Sequence, residues 1–240
     1  MENALAHKSK VAMEAARRLI RAGAPDRELA LRRYDAMAEK YHERTATGDH
    51  FRRHVVARLA PRPGEVVLDV GCGTGLNFKA IRGAVGPSGR VIGVELCPRM
   101  LDAARAMVER HGWDNVELVG ADVAEAVFPA GADAALLCAV HDVMRSPPAL
   151  ANVLNHLRDG ARIVAGGPKW APWRHSDGLS ANVSTWRMNR GCVTTFEGFA
   201  RPWSHLERFV DDLVVDEVFG GGGYIAYASS RRWRRRPAPV

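Results

Sequence analysis

Residues 66–75 read Val-Val-Leu-Asp-Val-Gly-Cys-Gly-Thr-Gly, an apolar run that passes into three glycines at alternate positions. A short apolar run rich in β-branched residues and bounded by glycine predicts a buried strand. A glycine-rich turn after such a strand lets a ligand lie against the backbone, because no β-carbon stands in the way. The segment therefore predicts a site for a nucleotide-like ligand at the end of a strand.

The glycine spacing and the neighbouring acid indicate the class of ligand. Dinucleotide-binding loops have the spacing GxGxxG, whereas Gly71, Gly73 and Gly75 give GxGxG and are followed by Leu76. Asp69, near the end of the strand, would repel a pyrophosphate but suits a ligand that carries an ammonium and a sulfonium. These features disfavour a nicotinamide or flavin cofactor and favour a cationic ligand without phosphate.

Strand and helix patterns alternate along the rest of the chain. Further β-rich runs lie at residues 90–95, 116–120, 132–139 and 161–166. Helical patterns lie between them, near residues 77–85, 98–110 and 148–157. A helix near residues 203–210 and strands near 213–218 and 224–228 follow. This order predicts an α/β fold in which helices wrap a mostly parallel sheet.

Two acids follow later strands. Glu95 ends the second predicted strand, and Asp122 comes soon after the third. Together with residues 66–75, they resemble the motif series of the class I S-adenosylmethionine (SAM)-dependent methyltransferases over residues 63–167. The resemblance implies a Rossmann-like sheet of seven mostly parallel strands with helices on both faces. It also implies SAM as the cofactor.

The resemblance assigns roles residue by residue. It implies that Gly71 and Gly73 face the methionyl part of SAM, that Glu95 binds both ribose hydroxyls and that Asp122 accepts from the adenine amino group. Carboxylates are suited to both of the last two tasks. Cys72 and Cys97 are given no chemical role. The predicted cofactor-binding set is Asp69, Gly71, Cys72, Gly73, Gly75, Glu95, Leu96, Asp122, Val123, Ala139, Tyr34 and Tyr41.

Residues 1–60 predict an N-terminal helical cap, with helices near residues 5–21 and 27–59 that break near 23–25 and 47–49. Residues 34–41 read YDAMAEKY and resemble a helix that closes over the cofactor in quinone-pathway C-methyltransferases. Tyr34 and Tyr41 are seven residues apart and share a helix face. They either line the site or pack against other side chains.

The fourth predicted strand leads into His141 and Asp142, at the edge of a parallel sheet where ligands bind. His141 is the candidate base for an acceptor that must lose a proton, or else a histidine of the pocket wall. Asp142 is a helix N-cap, a surface acid near the adenine, or a second acid of the site. The Asn/Asp-Pro-Pro-aromatic motif of enzymes that methylate base amino groups is missing here, which disfavours nucleobase amines.

The alternation of strands and helices stops between residues 168 and 202, which we interpret as an aromatic-rich lid within a domain of residues 61–230. Trp170, Trp186 and Phe196, together with His141, are the predicted substrate-binding residues. The aromatic side chains either line a pocket for an apolar acceptor or form an apolar patch under the lid. Residues 75–78 and 201–203 also resemble phospholipid and small-molecule methyltransferases.

Composition sets wider bounds. The chain has 240 residues, 47% hydrophobic content and four scattered cysteines, which predict one main domain, no metal site and a cytoplasmic location. No apolar run approaches the roughly 18 residues needed to span a bilayer. The net charge of +7 owes much to residues 231–236. The tail of residues 231–240 is either a solvated, disordered terminus or a contact for anionic lipid or RNA.

The sequence therefore predicts a SAM-dependent methyltransferase acting at O, N or C of a hydrophobic small molecule of lipid, quinone or secondary metabolism. Two alternatives stay open. One is an RNA- or protein-modifying methyltransferase that uses the basic tail, and the other is a SAM-binding protein that transfers no methyl group. Neither the acceptor nor the oligomeric state follows from the sequence.

Overall fold

The computed structural model of the chain describes residues 25–45, 48–129, 131–172 and 178–229. The helix predicted near residues 5–21, residues 173–177 of the predicted lid and the basic tail lie outside these ranges. Among the described helices, none is long and apolar enough to cross a membrane.

A seven-stranded sheet forms the centre of the fold, with the order β3-β2-β1-β4-β5-β7-β6. β7 runs antiparallel to both of its neighbours, and the pairs among β1 to β5 are parallel. This confirms the predicted Rossmann-like, mostly parallel sheet. The strands are β1 (Val66–Val70), β2 (Arg90–Glu95), β3 (Val116–Gly120), β4 (Ala132–Cys138), β5 (Leu157–Pro168), β6 (Val214–Val218) and β7 (Gly223–Ser229).

Eight α-helices are found in the described part of the chain. They are α1 (Arg27–Met37), α2 (Tyr41–Thr45), α3 (Asp49–Leu59), α4 (Phe78–Val85), α5 (Pro98–His111), α6 (His141–Met144), α7 (Pro147–Asn155) and α8 (Gly178–Asn189). A 3₁₀ turn, Ala38–Lys40, joins α1 to α2. The predicted lid therefore contains a helix, α8, that the sequence pattern did not indicate.

The helix predicted near residues 203–210 is wrong. Two 3₁₀ turns, Pro202–Ser204 and Leu206–Arg208, occupy this segment instead. Trp203 and Leu206 are buried and stand three residues apart, a spacing that matches three residues per 3₁₀ turn. The segment packs these side chains without forming an α-helix.

Successive residues of the central strands point to opposite faces of the sheet, so each strand contributes to two cores. Leu68 and Ile92 belong to one apolar cluster, while Val67 and Val91 belong to the other. All four are fully buried, as expected for a parallel sheet covered on both sides. The second cluster also contains Val55 and Leu59 of α3, so this helix is part of the helical layer on the sheet.

An ion pair fixes the end of α3 to the sheet. The Arg162 guanidinium on β5 binds the carboxylate of Glu65, with Nη1 3.0 Å from Oε1. Arg162 Nε also donates to Leu59 O at 3.0 Å, and Nη2 donates to Ala60 O at 3.3 Å. One side chain thus joins α3, the start of β1 and β5. This contact therefore fixes the end of α3 at the start of β1, at the edge of the sheet opposite the glycine loop.

We expect Arg162→Met to lower the free energy of unfolding by about 2–4 kcal/mol, because it leaves the nearly buried Glu65 carboxylate with the Arg62 amide but without its charged partner. Urea denaturation measures the change. The control is Glu117→Gln, which breaks the exposed pair with Arg90 and should cost less than about 1 kcal/mol. Equal effects of the two substitutions would contradict the structural role of Arg162.

Candidate active site

The loop after β1 adopts a backbone shape that needs glycine. Gly71 and Gly73 have φ values of 66° and 56°, which lie in the left-handed region. A β-carbon on Gly71 would lie 2.5 Å from Val140 Cγ1, so the loop approaches the segment after β4 too closely for any side chain. The loop therefore presents bare backbone to the space between β1 and β4.

Glu95, at the end of β2, is held by two backbone amides. Its Oε2 accepts from Gly73 N at 2.9 Å, and its Oε1 accepts from Cys97 N at 2.8 Å. Burial raises the pKa of Glu95, while these hydrogen bonds oppose the rise. The carboxylate is fixed in orientation before any ligand arrives.

Asp69 is fully buried behind the loop and does not line either of the two cavities described below. Its Oδ1 accepts from Asn77 Nδ2 at 3.1 Å, but its Oδ2 has no partner among the described residues. Thr74 Oγ1 and Asn77 Oδ1 are likewise buried without a partner there. Desolvation raises the pKa of Asp69 to about 7, and the nearby charge of Glu95 adds to the rise. This polar group is costly to bury, and a cationic ligand nearby would offset part of that cost.

Asp122 follows β3 and already has partners. Its Oδ1 accepts from Ala124 N at 2.9 Å, and its Oδ2 lies 3.4 Å from Arg27 Nε. Arg27 is the first residue of α1, so the N-terminal helix contacts the predicted adenine acceptor directly. The sequence pattern did not predict this contact.

A first cavity, the loop cavity, collects most of the predicted cofactor residues. The predicted residues that line it are Tyr34, Tyr41, Gly71, Gly73, Glu95, Leu96, Asp122, Val123, Ala139 and His141. Cys72 instead lines the second cavity described below, and Gly75 lines neither. A β-carbon on Gly75 would lie 2.6 Å from the ring of Phe78, so that glycine serves packing in this structure.

The two tyrosines form part of the cavity wall and also pack near each other. The ring centroids of Tyr34 and Tyr41 are 6.4 Å apart. Burial raises the pKa of Tyr41 to about 12, so its hydroxyl stays protonated at neutral pH. The two tyrosines therefore line the cavity and also pack near each other, so each of the two interpretations from the sequence describes part of their surroundings.

A second cavity, the lid cavity, lies between α2, α3 and α8 and has a volume of about 560 Å³. It shares a wall with the loop cavity, formed by Tyr34, Tyr41, Gly71, Gly73, Cys138, Ala139, His141 and Val193. A volume of this size suits a small organic molecule. A ligand in one cavity would therefore lie next to a ligand in the other.

His141 stands in the shared wall at the start of α6. Its Nε2 lies 3.0 Å from Glu197 O, and because a carbonyl can only accept, Nε2 carries the proton. Nδ1 is then the acceptor, and it is buried without a partner among the described residues. Desolvation lowers the pKa of His141 to about 4, and the charge of Arg145 contributes to the fall. The imidazole is therefore neutral at physiological pH.

Asp142 is not a helix N-cap, because Val140 holds that position. Its carboxylate accepts from Thr194 Oγ1 at 3.0 Å and from Thr194 N at 3.3 Å. Thr194 Oγ1 in turn accepts from Asp26 N, the N-cap of α1, at 3.0 Å. Thr194 thus joins the lid, α6 and the N-terminal helix at one point.

Trp170, Trp186 and Phe196, the aromatic residues predicted to bind the substrate, do not line either cavity. Trp170 packs on Phe196 and on Phe199, with ring centroids 5.2 Å apart in both pairs. The ring of Phe199 also packs against the His141 ring, with centroids 4.4 Å apart, so this cluster helps to hold the imidazole in position. Trp186 lies under the guanidinium of Arg190. The assignment of Trp170, Trp186 and Phe196 to substrate binding stays a prediction, and their positions favour a supporting role.

Sequence reasoning missed residues that reach the cavities from the N-terminal helices and the lid. In the loop cavity these include Ala30, Leu31, Met100 and Val193, and in the lid cavity they include Met37, Arg44, Phe51, Arg52 and Arg187. Of these residues, only Met37 belongs to a motif that the sequence analysis recognised, the segment 34–41. Ala30, Leu31 and Tyr34 share one face of α1, which is the only periodic signal that could have identified them. Among the described residues, no group of three or more metal-ligating side chains is present.

We expect Asp69→Asn to stabilise the cofactor-free protein increasingly as the pH rises. Between 3.8, the ordinary pKa of an aspartate, and about 7, the native Asp69 binds more protons than the unfolded one, so wild-type stability falls with pH in that window. The advantage of the variant should therefore grow by about 1–3 kcal/mol between pH 5 and pH 8, as measured by urea denaturation. The exposed control Asp114→Asn should show no such trend. A pH-independent difference for Asp69→Asn would contradict the raised pKa.

Comparison with known proteins agrees with this geometry. Residues 67–160 match a family model described as a methyltransferase domain. An uncharacterized 37.1 kDa protein in transposon TN4556 of Streptomyces fradiae is 34% identical over 226 residues, covering 80% of this chain and 64% of that protein. Nocamycin O-methyltransferase of Saccharothrix syringae is 33% identical over 141 residues, covering 56% of this chain and 49% of that protein. The chain thus spans between about half and two thirds of the length of these relatives.

The fold is also found among solved structures. A SAM-dependent methyltransferase from Aquifex aeolicus superposes with a TM-score of 0.55 and 21% identity, over 74% of this chain and 88% of that one. The sheet order, the glycine loop, the buried acid at the end of β2 and the matched methyltransferase domain agree with one another. Residues 67–160 thus form a methyltransferase domain, and the sheet around it has the fold of the class I SAM-dependent methyltransferases.

Proposed function

We propose that the protein transfers a methyl group from SAM to a hydrophobic small molecule bound in the lid cavity. The observation that carries this proposal is the shared wall, which puts a cavity of about 560 Å³ beside the predicted cofactor cavity. The lining of the lid cavity includes the apolar side chains of Met37, Phe51 and Leu76. One relative is named as an O-methyltransferase of nocamycin, a small molecule, and this name supports the same class of acceptor.

The residues of the loop cavity fit SAM. Glu95 offers an oriented carboxylate that would accept from the ribose hydroxyls, and Asp122 would accept from the adenine amino group. Gly71 and Gly73 leave room for the methionyl part, and the buried carboxylate of Asp69 favours a positive charge close to the loop. Arg27 contacts the same Asp122 carboxylate, so α1 and the adenine share one acceptor group.

SAM supplies an electrophilic methyl group that an acceptor atom can attack in line with the departing sulfur. The protein's contribution is to hold the acceptor near 3 Å from that methyl group and to exclude water. Tyr34, Tyr41 and Val193 stand between the two cavities, where they would restrict the approach of the acceptor. No metal is needed for this reaction.

His141 is the residue placed to manage a proton. We propose that Nδ1 accepts a hydrogen bond from the acceptor's hydroxyl and takes its proton as the new bond to carbon forms, before releasing it to water. The hydrogen bond to Glu197 O fixes the tautomer that leaves Nδ1 free. Nδ1 is closed to solvent in the ligand-free form, so contact with an acceptor requires the side chains packed over it to shift.

The direct test is a screen in which the protein is incubated with methyl-labelled SAM and a panel of apolar phenols, quinols, amines and enols. We expect labelled product and S-adenosylhomocysteine with at least one acceptor. RNA and peptide pools from a bacterial lysate serve as the comparison. Labelling confined to those pools would overturn the small-molecule proposal, and SAM binding without transfer to any acceptor would indicate a SAM-binding protein that transfers no methyl group.

We expect Glu95→Ala to weaken S-adenosylhomocysteine binding by roughly 1.5–3 kcal/mol, the range for hydrogen bonds to a charged group. Isothermal titration calorimetry measures this change. The matched control is Glu109→Ala, which removes an exposed carboxylate from α5 and should leave the affinity unchanged. Equal affinities of wild type and Glu95→Ala would mean that the ribose lies elsewhere.

We expect His141→Ala to reduce turnover far more than cofactor affinity. For a phenol or enol acceptor, the loss of a base costs on the order of 10² to 10⁴ in rate, whereas a neutral amine should lose only positioning. Since the pKa of His141 is about 4, ionisation of this imidazole should not change the wild-type rate between pH 6 and pH 9. The control is His205→Ala, because His205 lines neither cavity. Turnover within about twofold of wild type would remove His141 from the mechanism.

A further inference from the structure

The lid cavity carries an uneven charge. Its described lining contains three arginines, Arg44, Arg52 and Arg187, and neither aspartate nor glutamate. His141 is neutral there because its pKa is lowered to about 4, chiefly by burial. The arginines therefore set the sign of the potential in a cavity whose walls are otherwise largely apolar.

The three arginines differ in how far they are already neutralised. Arg52 binds the exposed carboxylate of Asp49 and donates to Thr45 O at 2.8 Å. Arg44 and Arg187, in contrast, form no ion pair with a carboxylate of the described residues. Two unpaired guanidinium groups thus face a cavity that can hold an organic molecule.

Arg44 and Arg187 line the lid cavity from two different helices. Arg44 belongs to α2, among the N-terminal helices, and Arg187 belongs to α8, in the lid. Arg44 extends toward the lid, since a β-carbon on Gly191 would lie 3.9 Å from Arg44 Nη2. Both arginines are exposed whereas His141 is buried, so we take their charged groups to lie toward the solvent side of the cavity.

We propose that the acceptor is an anion: an apolar molecule whose carboxylate, sulfonate or phosphate group is bound by Arg44 and Arg187 while its reactive atom points to the inner wall. This inference rests on the proposed function, because it assumes that the acceptor occupies the lid cavity. A guanidinium from each helix recognises such a group by charge and by paired hydrogen bonds. The apolar lining then takes the body of the molecule, and the anion at the mouth fixes which end enters first.

The test uses two fluorescent probes with the same aromatic body. They are 8-anilinonaphthalene-1-sulfonate, which is anionic, and N-phenyl-1-naphthylamine, which lacks the sulfonate. Each is titrated into the protein saturated with S-adenosylhomocysteine. We expect the anionic probe to bind at least tenfold more tightly than the neutral one, and we expect the ratio to fall about tenfold in the double variant Arg44→Gln/Arg187→Gln.

The matched control is Arg190→Gln, which removes the same charge from the same region of the lid but from a side chain that lies over Trp186 outside the cavity. It should keep the preference of the wild type. Equal binding of the two probes to wild type would overturn the inference, as would the same loss in Arg190→Gln and the double variant.

Cofactor affinity separates this inference from the proposed function. We expect S-adenosylhomocysteine to bind the double variant as tightly as wild type, as measured by calorimetry. If the double variant also lost affinity for S-adenosylhomocysteine, the two arginines would bind the carboxylate of the cofactor. That result would overturn their proposed role in binding the methyl acceptor. If wild type bound no S-adenosylhomocysteine at all, the proposed function itself would fail, whatever the probes showed.

Discussion

The hydrogen bond from Gly73 N to Glu95 Oε2 joins the loop after β1 to the end of β2, and the rest of the site depends on it. The parallel pairing of β1 with β2 sets Val70 opposite Val94, so the loop and the acid come level at the same edge of the sheet. The amide of Cys97 holds the other carboxylate oxygen. Because both oxygens are fixed by backbone, the position of Glu95 follows from strand register and not from the flexibility of its own side chain. A ligand that binds this preorganised carboxylate avoids the entropic cost of ordering a long acid on binding.

The same region buries polar groups that the protein alone does not satisfy. Asp69 Oδ2, Thr74 Oγ1 and Asn77 Oδ1 have no partners among the described residues, and His141 Nδ1 in the shared wall is in the same state. Buried unpaired polar atoms each cost free energy, so a chain selected for stability alone would not group them. Asn77 and His141 line the lid cavity, whereas Asp69 and Thr74 lie next to them in the chain or in space without lining a cavity, so a ligand could satisfy the first two directly. These buried polar atoms therefore lower the stability of the ligand-free protein.

The sequence predicted the sheet well because its signals are local. Residues 66–70 and 90–95 are apolar and rich in β-branched residues, and the observed strands have the same limits. Glu95 and Asp122 could be placed because strand ends in a parallel sheet meet at one edge. The segment near residues 203–210 misled the prediction, since its buried residues fit a 3₁₀ turn as well as an α-helix. The lid cavity could not be predicted, because Arg44 and Arg187 come together only through the tertiary packing of two helices that are far apart in sequence.

Thr194 shows how those two helical regions can act as one unit. Its hydroxyl accepts from Asp26 N at the start of α1 and donates to Asp142 after β4, while the neighbouring Val193 O accepts from Arg33 of α1. Arg27 at the same end of α1 contacts Asp122, where we place the adenine. A displacement of α1 would therefore break its hydrogen bonds to the lid. Since α1 and the lid also carry walls of the lid cavity, such a displacement would change both cavities. An acceptor bound at its outer end by Arg44 of α2 and Arg187 of α8 would then stabilise this arrangement, because both guanidinium groups would contact it at once.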